Sequence, residues 1–165
     1  MDREQVHAIG IYGSVTSLLL CAVILASLYW NPRIWMRGLP KEVQKKLPPK
    51  SRREKWQTLL VSILLFTILF VFPSLAVANL AVKPTLPQAF LICYSIYFIF
   101  NLTDLFIIDW LIVCTLPPKF IRIKNVDESE YKNYRKHGKD FLKGTVYIAL
   151  PALISSLVGY LISVM

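Results

Sequence analysis

The chain has 165 residues, of which 55% are hydrophobic, and its 19 Lys and Arg against 10 Asp and Glu give a net charge of +9. Soluble domains are about 45–50% apolar, with the apolar residues spread at helix or strand periods. Here the apolar residues are concentrated in long blocks, and the mean hydropathy is +0.51. This composition excludes an ordinary soluble domain and is typical of an integral membrane protein.

Four apolar blocks follow one another along the chain, and each predicts a transmembrane helix. They lie at 8–30, 57–82, 88–116 and 144–164, and only the third contains charged residues. Each block reaches the roughly 20 residues that a helix needs to cross about 30 Å of hydrocarbon. We therefore expect an all-α integral membrane protein in which residues 1–165 form one domain, an antiparallel bundle of four transmembrane helices.

The basic residues are concentrated in the two long loops of this arrangement. Nine lie in residues 31–56 and eight in residues 117–143, which leaves only Arg3 and Lys83 elsewhere. In a chain with four spans both loops lie on the same side, and an excess of Lys and Arg marks the cytoplasmic side. The sequence predicts a cell-membrane protein with two basic cytoplasmic loops and both termini outside. Because orientation explains these charges, nucleic acid is not an expected partner.

The two loops also contain candidates for binding a membrane surface or a protein. Leu39, Val43 and Leu47 are spaced four residues apart, as on one face of a short helix at the membrane surface. A solvated loop is the alternative. Basic residues near a membrane attract anionic lipid headgroups. The candidates for binding such lipid or a partner are Lys45, Lys46, Arg52, Arg53, Arg135, Lys136 and His137. For His137, an ordinary surface position is the simpler expectation.

Several smaller features make local predictions. Pro73 lies inside the second apolar block and predicts a kink, and the alternation in residues 120–124 resembles a short strand. Small residues recur every four positions in the first and fourth blocks, a spacing that lets helix backbones approach closely. They are Gly13, Ser17 and Cys21, and Ser155, Gly159 and Ser163. Packing inside the bundle and a homodimer contact explain these two stripes equally well.

Asn101, Asp104 and Asp109 are the strongest candidates for a functional site. A charged Asp near the bilayer centre costs about 2.5–3.5 kcal/mol on insertion scales, so such residues face a bundle interior or water. At 100° per residue, Asp104 lies about 60° to one side of Asn101 and Asp109 about 80° to the other. The three residues therefore share a broad face of an α-helix and do not form a narrow stripe.

Three functions compete for these carboxylates. The favoured prediction is a non-enzymatic bundle that binds or moves a small solute, a cation or a proton at Asp104. The second is an interaction or assembly subunit of a membrane complex, in which the carboxylates are structural and Asp109 pairs with a basic residue such as Lys143. The third is an intramembrane enzyme that uses Asp104 and Asp109. The sequence contains no recognised catalytic or metal-binding motif, and we expect no metal and no cofactor.

Overall fold

The computed structural model describes residues 1–39, 41–124 and 126–165, and all regular elements in these ranges are helical. The long helices are α1 (Arg3–Trp30), α3 (Arg52–Ala78), α4 (Leu86–Thr103), which continues as a π-helix (Asp104–Thr115), α5 (Tyr134–Tyr147) and α6 (Ala149–Val164). A short helix, α2 (Lys41–Lys46), lies in the first loop. The described part of the chain contains four helical segments long and apolar enough to cross a membrane, as predicted.

The helices begin where the sequence supplies caps. Asp2 and Gln5 form a capping box at the start of α1, and Ser51 and Glu54 form another at the start of α3. Each box satisfies backbone N–H groups that the first helical turn leaves without partners. Because Ser51 lies in the basic loop, α3 begins before the apolar block that the sequence marks as a span.

The bundle has two distinct ends. At one end, the Glu4 carboxylate accepts a hydrogen bond from the Ala81 N–H at 2.8 Å, and the Asn79 amide donates to the Tyr12 hydroxyl at 2.8 Å. These two hydrogen bonds join the N-terminal part of α1 to the turn between α3 and α4. We call this end of the bundle the terminal end. At the opposite end, the loop end, the two basic loops pack against each other.

The contact between the loops uses the apolar stripe of the first loop. Leu39 and Val43 are buried against Ile123 and Tyr131, and Leu47 packs beside them. The Ile123 N–H donates to the Tyr131 hydroxyl at 2.8 Å. A short helix is present in this loop as predicted, but α2 contains only Val43 of the three apolar residues, and Leu39 and Leu47 flank it. The three side chains pack against the second loop. The predicted strand in residues 120–124 is wrong, because a 3₁₀ turn at Lys119–Ile121 occupies that segment.

One basic residue of the first loop is used inside the fold. The Lys50 Nζ donates to the Ile34 carbonyl at 2.7 Å and to the Thr58 hydroxyl at 2.9 Å. Burial, followed by the neighbouring Arg37, lowers the pKa of Lys50. This lysine therefore stabilises the loop as well as adding to its positive charge.

Pro73 leaves one backbone carbonyl of α3 without its helical hydrogen bond. A proline has no N–H, so the Leu69 carbonyl one turn earlier lacks its helical donor. The Tyr97 hydroxyl of α4 donates to that carbonyl at 2.8 Å and lies 2.8 Å from the Ser155 hydroxyl of α6. Tyr97 is 1% exposed. The carbonyl that lacks its helical donor thus becomes part of a polar junction of α3, α4 and α6.

The stripes of small residues pack within a single chain. A Cβ added at Gly159 would lie 2.6 Å from the Ser74 carbonyl oxygen, and one added at Gly13 would lie 2.8 Å from the Ile99 side chain. Ser155, beside the first contact, is fully buried. Of the two explanations that the sequence leaves open, these contacts support packing inside the bundle.

The fourth long segment consists of two helices that cover different parts of the bundle. α5 and α6 meet at Ile148, three residues before Pro151, whose ring cannot donate to the Tyr147 carbonyl. α6 packs on both α3 and α4, whereas α5 contacts the π-helix and α4. α6 therefore completes the packing of the bundle with α3 and α4, and α5 packs against the π-helix.

Candidate functional site

The third long apolar segment changes from α-helix to π-helix at Asp104. Near its end the Leu116 N–H donates to the Leu111 carbonyl, five residues earlier, at 2.9 Å. In a π-helix the backbone hydrogen bonds connect residues five positions apart, so these residues are neighbours on successive turns. Asp104 and Asp109 consequently share one face, whereas α-helical geometry places them about 140° apart. The angles calculated from the sequence assume an α-helix and therefore do not apply to this pair.

A cavity of about 500 Å³ lies between α1, α3, the π-helix and the packed loops. Most of its wall is apolar and includes Leu20, Ile24, Leu65, Phe66, Phe100 and Ile108. Its charged lining residues are Asp104, Asp109, Glu130, Lys136 and His137. Sites for small molecules have volumes of about 300–1,000 Å³ and combine apolar walls with a few polar groups. This cavity has both properties.

Asp104 lines the cavity, and its carboxylate has no partner among the residues that the structure describes. Within residues 1–39, 41–124 and 126–165 it accepts no side-chain or backbone hydrogen bond and forms no ion pair. Its nearest polar neighbour along the helix, Thr103, donates to the Ile99 carbonyl at 2.8 Å and so is already occupied. The lone pairs of Asp104 are therefore available to water, a proton or a ligand.

Asp109 is bound by His137. The His137 Nδ1 lies 2.9 Å from the Asp109 Oδ2, and the two side chains are 14% and 23% exposed. The sequence-based suggestion of Lys143 as the partner is wrong, and so is the expectation that His137 is an ordinary surface residue. No sequence signal links His137 to Asp109, because the pair depends on how α5 docks.

The start of α5 places His137 in the cavity. The Asn133 side chain caps the helix by accepting a hydrogen bond from the Lys136 N–H at 3.0 Å. Tyr134 anchors this first turn on the π-helix, with its hydroxyl 2.9 Å from the Thr115 hydroxyl and its ring at the edge of the Trp110 ring. His137 then lies one turn further along, facing Asp109.

Asn101 has a different role from the two aspartates. Its amide donates to the Phe141 carbonyl at 3.2 Å and to the Thr145 hydroxyl at 3.1 Å. Gly144 leaves room for this contact, since a Cβ there would lie 2.9 Å from the Asn101 Oδ1. Asn101 thus joins α4 to α5 and does not line the cavity.

The remaining candidate residues separate into surface and cavity groups. Five are exposed on the loop end: Lys45, Lys46, Arg52, Arg53 and Arg135. Lys136 is half-buried, lines the cavity and binds Asp140 at 2.8 Å. Glu130, which the sequence argument did not single out, also lines the cavity. Its position depends on the folding of the second loop, which hydropathy and charge do not specify.

The fold and the cavity together define a class of protein: an all-helical bundle whose four long segments suit a membrane and whose loop end encloses a charged cavity. Among the described residues, no three His, Cys, Asp or Glu side chains are grouped so as to hold a metal ion. Comparison with protein-family models, curated proteins and solved structures finds no match for this chain. The residues of the chain itself are therefore the basis for proposing its function.

Proposed function

We propose that the chain spans a cell membrane with its loop end in the cytoplasm, and that its cavity binds or moves a small solute at Asp104. The seventeen basic residues of the two loops support this orientation. The Asp104 carboxylate, which pairs with none of the described residues, lies in a mainly apolar cavity and carries the assignment of the site. A structural carboxylate at this depth is expected to have hydrogen-bonding partners, since an unpaired one is costly.

The cavity favours this function over that of an assembly subunit. A subunit with purely structural carboxylates is expected to be tightly packed around them. Here a volume of about 500 Å³ meets Asp104, while Asn101 performs the structural role of joining α4 to α5. The exposed basic residues of the loop end fit anionic headgroups, which would hold the bundle in its orientation.

An enzyme is the second candidate, and one observation supports it. Asp104 and the Asp109–His137 pair meet in one cavity, and a histidine oriented by a carboxylate is a common general acid or base. An enzyme would change a bound compound, whereas a binding or transport protein returns it intact. A compound is incubated with the purified protein and then extracted, and its mass spectrum distinguishes an enzyme from a binding or transport protein. A compound whose mass changes with the wild-type protein, but stays the same with the His137→Gln variant, would favour the enzyme.

The accessibility of Asp104 is the direct test of the proposed site. We expect an apolar carbodiimide, which reacts with protonated carboxyls, to label Asp104 in the folded protein. Labelling should fall as the pH rises and should fall when a bound solute covers the carboxyl. Peptide mapping by mass spectrometry gives the position of the label.

Two variants make this labelling experiment specific. Asp104→Asn should lose the mapped label, whereas Asp127→Asn should keep it, because Asp127 is exposed and lies outside the cavity. Folded wild-type protein that remains unlabelled at Asp104 at every pH would contradict the proposed function. That result would instead favour a sealed, structural carboxyl.

A further inference from the structure

The charges around the cavity are predominantly negative. Asp104, Asp109 and Glu130 line it, together with the basic residues Lys136 and His137. Lys136 is bound to Asp140, which lies outside the lining, and His137 is bound to Asp109. In the part of the chain that the structure describes, Asp104 and Glu130 form no ion pair. An anionic solute would be repelled here, and a cationic one attracted.

The apolar walls make the cavity a poor binding site for a simple inorganic cation. Leucine, isoleucine and phenylalanine side chains from α1, α3 and the π-helix form most of the lining. A small metal ion loses its hydration shell on entering such a cavity, and hard cations need several oxygen ligands to replace it. The described residues contain no cluster that could supply them. An apolar body on the solute, by contrast, would fill the space and remove these side chains from water.

One residue of the cavity wall also faces the outside of the bundle, on the part of α3 that the proposed function places in the membrane. Phe66, near the middle of α3, lines the cavity and is 58% exposed. Leu65 and Leu69, on the same helix, continue the lining on either side of it. In the proposed orientation, a solute with an apolar body concentrates in the hydrocarbon next to this part of the wall.

We infer that the solute of this cavity is an organic cation with an apolar body, such as a lipophilic amine or quaternary cation, whose charge pairs with Asp104. The apolar body lies against α1 and α3, and the cationic group lies at the carboxylates. This inference rests on the proposed function and adds the chemical class of the solute.

Two ions of the same shape and opposite charge test the inference. Tetraphenylphosphonium and tetraphenylborate are to be compared by equilibrium dialysis against the full chain in detergent micelles. Saturable binding of the phosphonium should be at least about tenfold tighter than that of the borate. Asp104→Asn should weaken phosphonium binding on the order of tenfold, as expected for loss of one charge partner, and Asp127→Asn should leave it unchanged. Phosphonium should also protect wild-type Asp104 from the carbodiimide, a readout that needs no variant.

The outcomes separate the solute class from the binding function. Equal binding of the two ions, tighter binding of the borate, or unchanged phosphonium affinity in folded Asp104→Asn would overturn the cationic class. A cavity that binds both ions and shields Asp104 would still support solute binding. If neither ion binds and Asp104 resists the carbodiimide, both the solute class and the proposed function are wrong.

Discussion

Replacement of Gly159 by alanine is expected to lower the free energy of unfolding by about 1–3 kcal/mol, the usual cost of overpacking a close contact. The added Cβ would lie 2.6 Å from the Ser74 carbonyl oxygen and 2.8 Å from the Val77 Cβ, both on α3. The carbonyl belongs to the helix backbone and cannot rotate away as a flexible side chain can. α6 would have to move off α3, which also disturbs the hydrogen bond from the Ser74 hydroxyl to the Ser155 carbonyl.

Gly10→Ala is the matched control for this prediction. A Cβ at Gly10 meets no described atom within 4 Å, and the residue lies inside α1. Alanine is favoured over glycine in a helix by up to about 1 kcal/mol, so this variant should be as stable as the wild type or more stable. Circular dichroism during denaturant or thermal unfolding in detergent provides the measurement. Equal stability of the two variants would contradict the close α3–α6 contact.

The Asp109–His137 pair is expected to couple α5 to the π-helix by about 1.5–3 kcal/mol, the range for hydrogen bonds that involve a charged group. Both side chains are largely buried and their polar atoms lie 2.9 Å apart. A double-mutant cycle of Asp109→Asn and His137→Ala isolates this coupling, since the two residues interact directly. Equilibrium unfolding of the wild type, both single variants and the double variant supplies the four free energies.

The Lys136–Asp140 pair on the same helix provides the comparison cycle. Its side chains are 29% and 47% exposed and are four residues apart, a geometry worth only about 0.3–0.5 kcal/mol. The coupling of Asp109 to His137 should therefore be several times larger. Strictly additive effects of Asp109→Asn and His137→Ala would show that α5 docks without help from this pair.

The four long apolar segments follow from the sequence because hydropathy is a local sum. A block without charges, such as residues 57–82, suits a membrane whatever its neighbours do. The caps are equally local: Ser51 and Glu54 start α3 through groups three residues apart. The helical spacing of Leu39, Val43 and Leu47 is local as well, although α2 includes only Val43 of the three.

The composition of the cavity depends on geometry that no local pattern specifies. An α-helical wheel separates Asp104 from Asp109, and only the change to a π-helix places them on one face. Asn101, close to Asp104 in sequence, turns instead to Phe141 and Thr145 on α5.

The sequence by itself determined the helical class, the four long apolar segments and the concentration of basic charge in two loops. The tertiary structure decided that His137 binds Asp109, that Glu130 joins the cavity and that Asp104 has no partner in the described part of the chain. The physical reason is that hydropathy and charge accumulate along neighbouring residues. A site instead requires residues far apart in the chain to meet, and that depends on helix register and on how α5 docks.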